Sequence, residues 1–245
     1  MSLVYVLVGL ICGFVDSTLG MGFGVTSSTV LITFGIAPAV ASASVHAAEA
    51  VVDLFSAVIH HKLGNVDKEI WLRMAVPGVL SAVLGASVLS WMSLASAKPV
   101  VRIILILMGG IVLYRHAVNY RIRKVKLTDR EAMALGFVAG FLDVLGGGGW
   151  GPIGTPSLIL SGSDPKKAVG TIEFTEPFVS LAAVLTFGFT IGFEEFMWNL
   201  TIPMIIGGLI LTPVSGYLVA KIPRKWLGIL IGVWLIALNL YGLLC

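Results

Sequence analysis

Residues 140–151 read GFLDVLGGGGWG, and residues 13–24 read GFVDSTLGMGFG. The two stretches lie 127 positions apart. The same offset holds without a gap as far as Trp71 and Trp198, with fifteen of 59 positions identical. The chain is therefore an internal duplication. Apolar repeats that each carry a glycine-rich interruption are typical of secondary transporters.

The composition indicates a protein whose solvent is lipid. Of the 245 residues, 57% are hydrophobic and 12% are charged, whereas about a quarter of the residues in soluble domains are charged. Cys12 and Cys245 lie far apart, which favours neither a disulfide framework nor a thiolate metal site. The basic residues lack interleaved aromatic side chains, so no nucleic-acid partner is expected. The sequence predicts no cofactor and no metal.

Each half of the chain contains four apolar stretches. Six of the eight are near the ~20 residues that cross a hydrocarbon core. The first stretch of each half, 3–34 and 131–160, is longer and has its glycines near the middle. Glycine destabilises a helix interior, and irregular backbone at membrane depth must be shielded by protein or line a cavity. Each long stretch is therefore predicted to be two helices joined by a non-helical tip.

Each long stretch could cross the membrane once or could enter and leave on the same side as a re-entrant hairpin. The positions of the lysines and arginines distinguish these alternatives, because these residues accumulate on the cytoplasmic side. If each broken stretch crosses the membrane once, nine of the sixteen lysines and arginines lie on one side and seven on the other. If each is a hairpin, fourteen are cytoplasmic and only Lys98 and Arg102 are outside. The sequence therefore predicts hairpins. Each half then crosses the cytoplasmic membrane three times, so the halves are inverted and both termini lie outside.

The predicted fold is an all-α integral membrane protein built from two inverted repeats. Each repeat is a glycine-broken re-entrant helical hairpin followed by three transmembrane helices. Residues 1–118 form the first repeat, residues 119–130 a basic cytoplasmic linker, and residues 131–245 the second repeat. The two tips are expected to meet near the membrane midplane, where inverted-repeat transporters bind substrate.

Six of the thirteen acidic residues fall within apolar segments, where an ionisable group by default marks a functional site or a proton route. They are Asp16, Glu49, Asp53, Asp143, Glu173 and Glu176. His46 and Glu49 share one helix face, and Glu173 and Glu176 repeat this spacing in the second half. These four residues are the predicted proton-coupling or polar site. Burial favours the protonated form of a carboxyl group, so Glu49 or Glu176 is expected to carry a proton.

The tips are predicted to bind an anion. The N–H groups of glycine-rich turns, the positive ends of half-helices and nearby hydroxyls attract an anion without a lysine or arginine. Asp16 and Asp143 precede the glycines and are predicted to cap the tips by accepting backbone N–H bonds. The predicted binding residues are Gly20, Gly22, Gly24, Thr26, Ser27, Gly147, Gly148, Gly149, Trp150 and Gly151. A purely packing role for the glycines stays open, because small residues let membrane helices approach closely.

The second tip resembles a known family. Asp143 followed by GGGGWGP at 146–152, with Thr155-Pro156 and the weaker copy from Asp16 to Gly24, is similar to the sulfite exporter TauE/SafE family. The resemblance covers essentially the whole chain. It implies export of a small sulfur-containing anion, such as sulfite, a sulfonate or sulfoacetate, across the cytoplasmic membrane. Together with the intramembrane acids, it predicts alternating access with protons as the coupling ion.

Two other functions are alternatives to this interpretation. A cation/proton exchanger would use the intramembrane carboxylates to attract its ion directly. An intramembrane aspartyl protease also needs two aspartates on separate segments. Such enzymes have the aspartate directly after a Gly-x-Gly turn, whereas Asp16 and Asp143 precede the glycines here. The sequence therefore predicts a transporter and no enzyme.

Overall fold

The computed structural model describes residues 2–19, 21–118, 127–211 and 224–244. Within these ranges the chain is helical and contains no β-strand. The predicted site residue Gly20 and most of the predicted linker lie outside the described residues.

The described chain forms ten α-helices, which we number in chain order. The first half contains α1 (Ser2–Leu19), α2 (Phe23–Thr33), α3 (Pro38–Lys62), α4 (Lys68–Trp91) and α5 (Leu94–Ala117). The second half contains α6 (Asp129–Gly146), α7 (Trp150–Leu160), α8 (Pro165–Thr190), α9 (Trp198–Leu211) and α10 (Arg224–Leu244). Helices α3, α4, α5 and α8 and most of α10 are long and apolar enough to cross a membrane. The all-α membrane fold class is confirmed.

Both predicted helix breaks are present. The first lies between α1 and α2, and the second between α6 and α7. Gly22, Gly147 and Gly148 in these breaks have φ angles of 125°, 71° and 144°, a region that side chains other than glycine rarely adopt. We call α1 with α2 the first hairpin and α6 with α7 the second hairpin. In each, the first helix has 18 residues and the second has 11.

The helices pack in pairs that correspond between the halves. The first helix of one hairpin, α1, packs along α9, and the first helix of the other, α6, packs along α4. Helix α3 packs against its repeat-related helix α8, and α5 packs against α10. Each hairpin is therefore held mainly by the opposite half of the chain.

Glycines bring the backbones of these pairs into contact. A Cβ atom on Gly136 of α6 would lie 2.8 Å from the Cα of Met74 in α4. Gly9, at the related position of α1, faces α9 in the same way, and a Cβ atom there would lie 2.7 Å from the Cα of Met204. Small residues permit such close helix contacts in membranes.

Side-chain contacts give the relative directions of the central helices. His61 stacks on Phe174 with ring centroids 5.3 Å apart, and Gly170 packs against Asn65. Helices α3 and α8 are therefore antiparallel, and α5 and α10 are antiparallel as well. Antiparallel packing of repeat-related helices supports an inverted relation between the halves. Their orientation in the membrane stays a prediction.

Candidate functional site

The tips of the two hairpins contact each other. A Cβ atom on Gly24 would lie 2.7 Å from the Cα of Gly148, and Gly148 in turn lies against the backbone of Gly24 and Val25. Ser28 of α2 donates a hydrogen bond to the carbonyl oxygen of Gly147. The backbones touch, so a side chain at Gly24 or Gly148 would force the tips apart.

An aspartate at the same repeat position closes each tip. Asp16 Oδ1 accepts a hydrogen bond from the N–H of Phe23 at 3.3 Å, and Asp143 Oδ1 accepts one from the N–H of Trp150 at 3.0 Å. Phe23 and Trp150 are the first residues of α2 and α7, where the N–H groups have no partner within the helix. A carboxylate also interacts favourably with the positive end of a helix. These are the contacts that capping aspartates make.

The glycine N–H groups at the tips have two kinds of surroundings. Gly147 and Gly148 both donate to the backbone carbonyl of Asp143. Gly24 and Gly151 are repeat-related and stand in the first turns of α2 and α7, where the helix supplies no acceptor. Their N–H groups are therefore the ones suited to an anion.

Two further predicted glycines begin the second helix of each hairpin. Gly22 and Gly149 are the N-cap residues of α2 and α7. Their carbonyl oxygens accept from the N–H groups of Thr26 and Ile153, both at 3.0 Å. These glycines therefore start α2 and α7.

Trp150 anchors the second hairpin. Its side chain is fully buried, and its indole N–H donates to the carbonyl oxygen of Ile172 in α8 at 3.2 Å. A Cβ atom on Gly78 of α4 would lie 2.8 Å from the indole ring. The Trp150 side chain is thus wedged between α4 and α8, and we propose that it positions the tip.

Two hydroxyl residues that the sequence singled out are buried in α2. Thr26 is 2% exposed, and its Oγ1 has no hydrogen-bond partner among the described residues. Ser27 lies beside the thiol of Cys12. Because buried hydroxyls are nearly always hydrogen-bonded, the Thr26 hydroxyl is available to a ligand.

His46 connects α3 to the second hairpin. Its Nδ1 lies 2.8 Å from the carbonyl oxygen of Ser42, and its Nε2 lies 3.2 Å from Asp143 Oδ2. Both partners are acceptors, so each ring nitrogen is in position to donate a proton. The Ser42 hydroxyl donates to the carbonyl of Val144 at 2.7 Å. Ser42 was not predicted as a site residue, because its only signal in the sequence is its place one turn before His46 on the same helix face.

Carboxyl groups from both halves gather in one cluster. Oxygens of Asp16, Asp53 and Glu173 lie within 4.8 Å of one another, and oxygens of Glu49, Asp53 and Glu176 do so as well. Asp53 belongs to both sets and is only 2% exposed. Acid groups this close and this buried favour a shared proton or a bound cation. From the sequence, Asp53 was one of six acids in apolar segments and was not among the residues of the predicted polar site.

Glu49 joins this cluster to the tips. A Cβ atom on Gly24 would lie 2.5 Å from Glu49 Oε1. Glu49 Oε2 is 3.9 Å from Nε2 of His46 and has no hydrogen-bond partner within the described part of the chain. The predicted proton-carrying residue and the predicted anion-binding tip are therefore direct neighbours.

The comparisons with known proteins agree with the resemblance seen at the second tip. The family described as "Sulfite exporter TauE/SafE" matches residues 5–242. The chain belongs to the TauE/SafE family.

A curated relative of this TauE/SafE protein is the "Probable membrane transporter protein YtnM" of Bacillus subtilis (strain 168). The two are 40% identical over 242 residues, which cover 97% of this chain and 81% of the relative. No solved structure shows significant similarity to the chain. Family membership and the apolar helices make the chain a multi-pass membrane protein of a transporter family.

Proposed function

We propose that this TauE/SafE protein exports a small sulfur-containing anion across the cytoplasmic membrane by alternating access, with protons as the coupling ion. The observation that carries the proposal is the contact between the tips, where the first turn of α2 meets the glycines that lead into α7. Helix N-termini present N–H groups and partial positive charge. Two of them directed at one place attract an anion.

The chemistry of the tips suits a compact oxyanion. The N–H groups of Gly24 and Gly151 and the hydroxyl of Thr26 can donate to several oxygens of one ligand. Sulfite, a sulfonate or sulfoacetate has oxygens arranged to accept such bonds together. The family's description as sulfite exporters supports a sulfur oxyanion over other anions.

The tips must separate before an anion can reach these donors, because Gly24 and Gly148 touch in this structure. The first hairpin packs along α9 and the second along α4. Either hairpin can therefore move against the opposite half and expose the site to one side of the membrane. Alternating access follows if the two movements exclude each other.

Coupling to protons is supported by the position of Glu49 beside Gly24. An ionised Glu49 repels an anion at the tips, whereas a protonated Glu49 can donate a hydrogen bond to it. Anion binding and protonation of the acid cluster are therefore linked. Glu176, at the related position of the second half, belongs to the same cluster.

The alternative is a cation/proton exchanger, and the clustering of the buried carboxyl groups favours it. In that case the tips would serve packing alone. The ligand would then be a metal cation or Na⁺, and anions would not affect the protein.

Ligand-dependent thermal unfolding of the purified protein tests the proposal, because a ligand that binds the native fold raises its melting temperature. We expect sulfite or a sulfonate to raise it, and Gly24→Ala to remove the shift, since the added methyl group meets Gly148 and Glu49. Gly110→Ala is the matched control, because no atom lies within 4 Å of a Cβ there.

Other results of this experiment would overturn parts of the proposal. A sulfite-induced shift that survives Gly24→Ala would remove the tips from the binding site. Stabilisation by Na⁺ or a divalent cation, with no response to any anion, would support the exchanger.

A further inference from the structure

The two halves differ in their buried polar side chains at matching repeat positions. Three carboxyl groups lie together at the first hairpin, whereas the repeat-related positions at the second hairpin hold one carboxyl group. The first set is Asp16, Asp53 and Glu173, and the related residues are Asp143, Ser180 and His46.

The second hairpin is held by a continuous chain of hydrogen bonds. His46 lies between the carbonyl of Ser42 and the carboxylate of Asp143, at 2.8 and 3.2 Å, and Asp143 accepts the N–H of Trp150. With a proton on each ring nitrogen, His46 donates to both acceptors. Both ring nitrogens of His46 therefore have a partner in the chain, and Asp143 is bonded through both of its carboxylate oxygens.

The corresponding set at the first hairpin is short of hydrogen-bond donors. Asp16 accepts from the N–H of Phe23 at 3.3 Å, and Glu173 lies beside the hydroxyl of Ser56. Asp53 is 2% exposed, and its Oδ2 has no partner among the residues that the structure describes. Ionised carboxyl groups only accept hydrogen bonds, so these three cannot bond to one another. A bound proton supplies the missing donor and removes one of three repelling charges.

The surroundings do not neutralise this set. Among the described residues, the titratable groups near this set are Cys12 and Asp16 on α1, His46, Glu49 and Asp53 on α3, Asp143 on α6, and Glu173 and Glu176 on α8. All except His46 are acids, and His46 is engaged by Asp143.

We propose that Asp16, Asp53 and Glu173 form a proton-binding site that belongs to the first hairpin alone, and that the first hairpin is the gate that this proton closes. With the proton on Asp53, its hydroxyl donates one hydrogen bond to Asp16, which joins α1 to α3 and holds α1 in place. Without it, the three carboxylates repel one another and α1 moves away. The second hairpin does not respond to this proton, because its aspartate, Asp143, is bonded to His46. The inference rests on the proposed proton-coupled transport and specifies which hairpin responds to the proton.

Hydrogen–deuterium exchange of the purified full-length protein, with no transported anion present, tests this proposal. Protection in residues 10–19 is expected to fall as pH rises, by up to about tenfold per pH unit if one proton is lost on opening. The rates are first corrected for the intrinsic pH dependence of amide exchange. Residues 137–146, the matching part of the second hairpin, are expected to keep constant protection. Because no anion is used, the result is independent of whether the sulfur-anion assignment holds.

Substitutions at Asp53 and its repeat partner complete the test. Asp53→Asn supplies N–H donors without a titrating proton, so protection in residues 10–19 is expected to become independent of pH. If Asp53→Asn does not fold, Asp53→Ser replaces it, because serine is the residue at the repeat-related position 180. Ser180→Ala is the control, and this variant is expected to keep the pH response. An equal response in both hairpins, or a response that survives both Asp53 variants, would overturn the proposal. The proposal would also be overturned if NaCl, but not choline chloride, restored the protection of residues 10–19 at high pH. The site would then bind a cation instead of a proton.

Discussion

At the residue scale, the proposed coupling between anion and proton depends on Glu49 and its repeat partner Glu176. Substrate is expected to bind more weakly as pH rises, because each deprotonation adds negative charge beside the tips. Glu49→Gln keeps the shape of the side chain and removes the ionisable proton. We therefore expect Glu49→Gln to bind the anion with a flatter pH dependence, and Glu176→Gln to show the same tendency.

Anion affinity measured between about pH 5 and 9 checks this prediction. Glu69→Gln is the matched control, because the Glu69 side chain is 83% exposed at the start of α4. The proton-coupling proposal fails if both single variants and the double variant keep the pH dependence of the unmodified protein. Affinity that strengthens with pH would favour the cation exchanger.

The sequence revealed some of these residues and not others for a physical reason. The role of Asp16 and Asp143 followed from local sequence, since each aspartate bonds a backbone N–H only seven positions away. The Ser28 hydroxyl bonds a carbonyl 119 positions away, and nothing near it in the sequence indicates that partner. Asp53 gains its importance from Asp16 and Glu173 in other helices, so its role depends on tertiary packing.

At the scale of the helical elements, glycines determine how closely each hairpin approaches the opposite half. Gly136→Ala is expected to destabilise the protein by about 1–3 kcal/mol, the usual range for overpacking, because the methyl group meets the Met74 backbone. Gly110→Ala provides the comparison in open space. Unfolding of both variants in the same detergent measures the difference. Equal stabilities would mean that α4 and α6 can move apart freely.

The helix breaks show what could be predicted at this scale. Clustered glycines between apolar runs predicted both breaks, because glycine destabilises helices and permits positive φ. The pairing of α1 with α9 and of α6 with α4 could not be predicted in this way. It depends on which glycine-lined faces meet across the two halves, and many apolar faces of this chain have a similar composition.

At the scale of the whole molecule, the halves interlock. Each hairpin packs on the opposite half, and repeat-related helices α3 and α8 form the centre. The predicted boundaries at residues 118 and 131 follow the sequence repeats, but each hairpin packs mainly on the half to which it does not belong. Movement of one hairpin must change contacts in the other half, which is a physical basis for alternating access.

The inverted orientation gives the last prediction. Antiparallel packing of α3 with α8 and of α5 with α10 requires an inverted relation if these pairs are repeat-related. The fourteen-to-two division of lysines and arginines then puts both termini outside. A reporter active only outside the cytoplasm is expected to be active when fused after Cys245 and inactive when inserted in the basic segment 119–126. A reporter active only in the cytoplasm should give the opposite pattern. With the basic segment in the cytoplasm, a cytoplasmic C-terminus would make the number of crossings in the second half even, and the hairpins could then not enter from opposite faces to meet at the midplane.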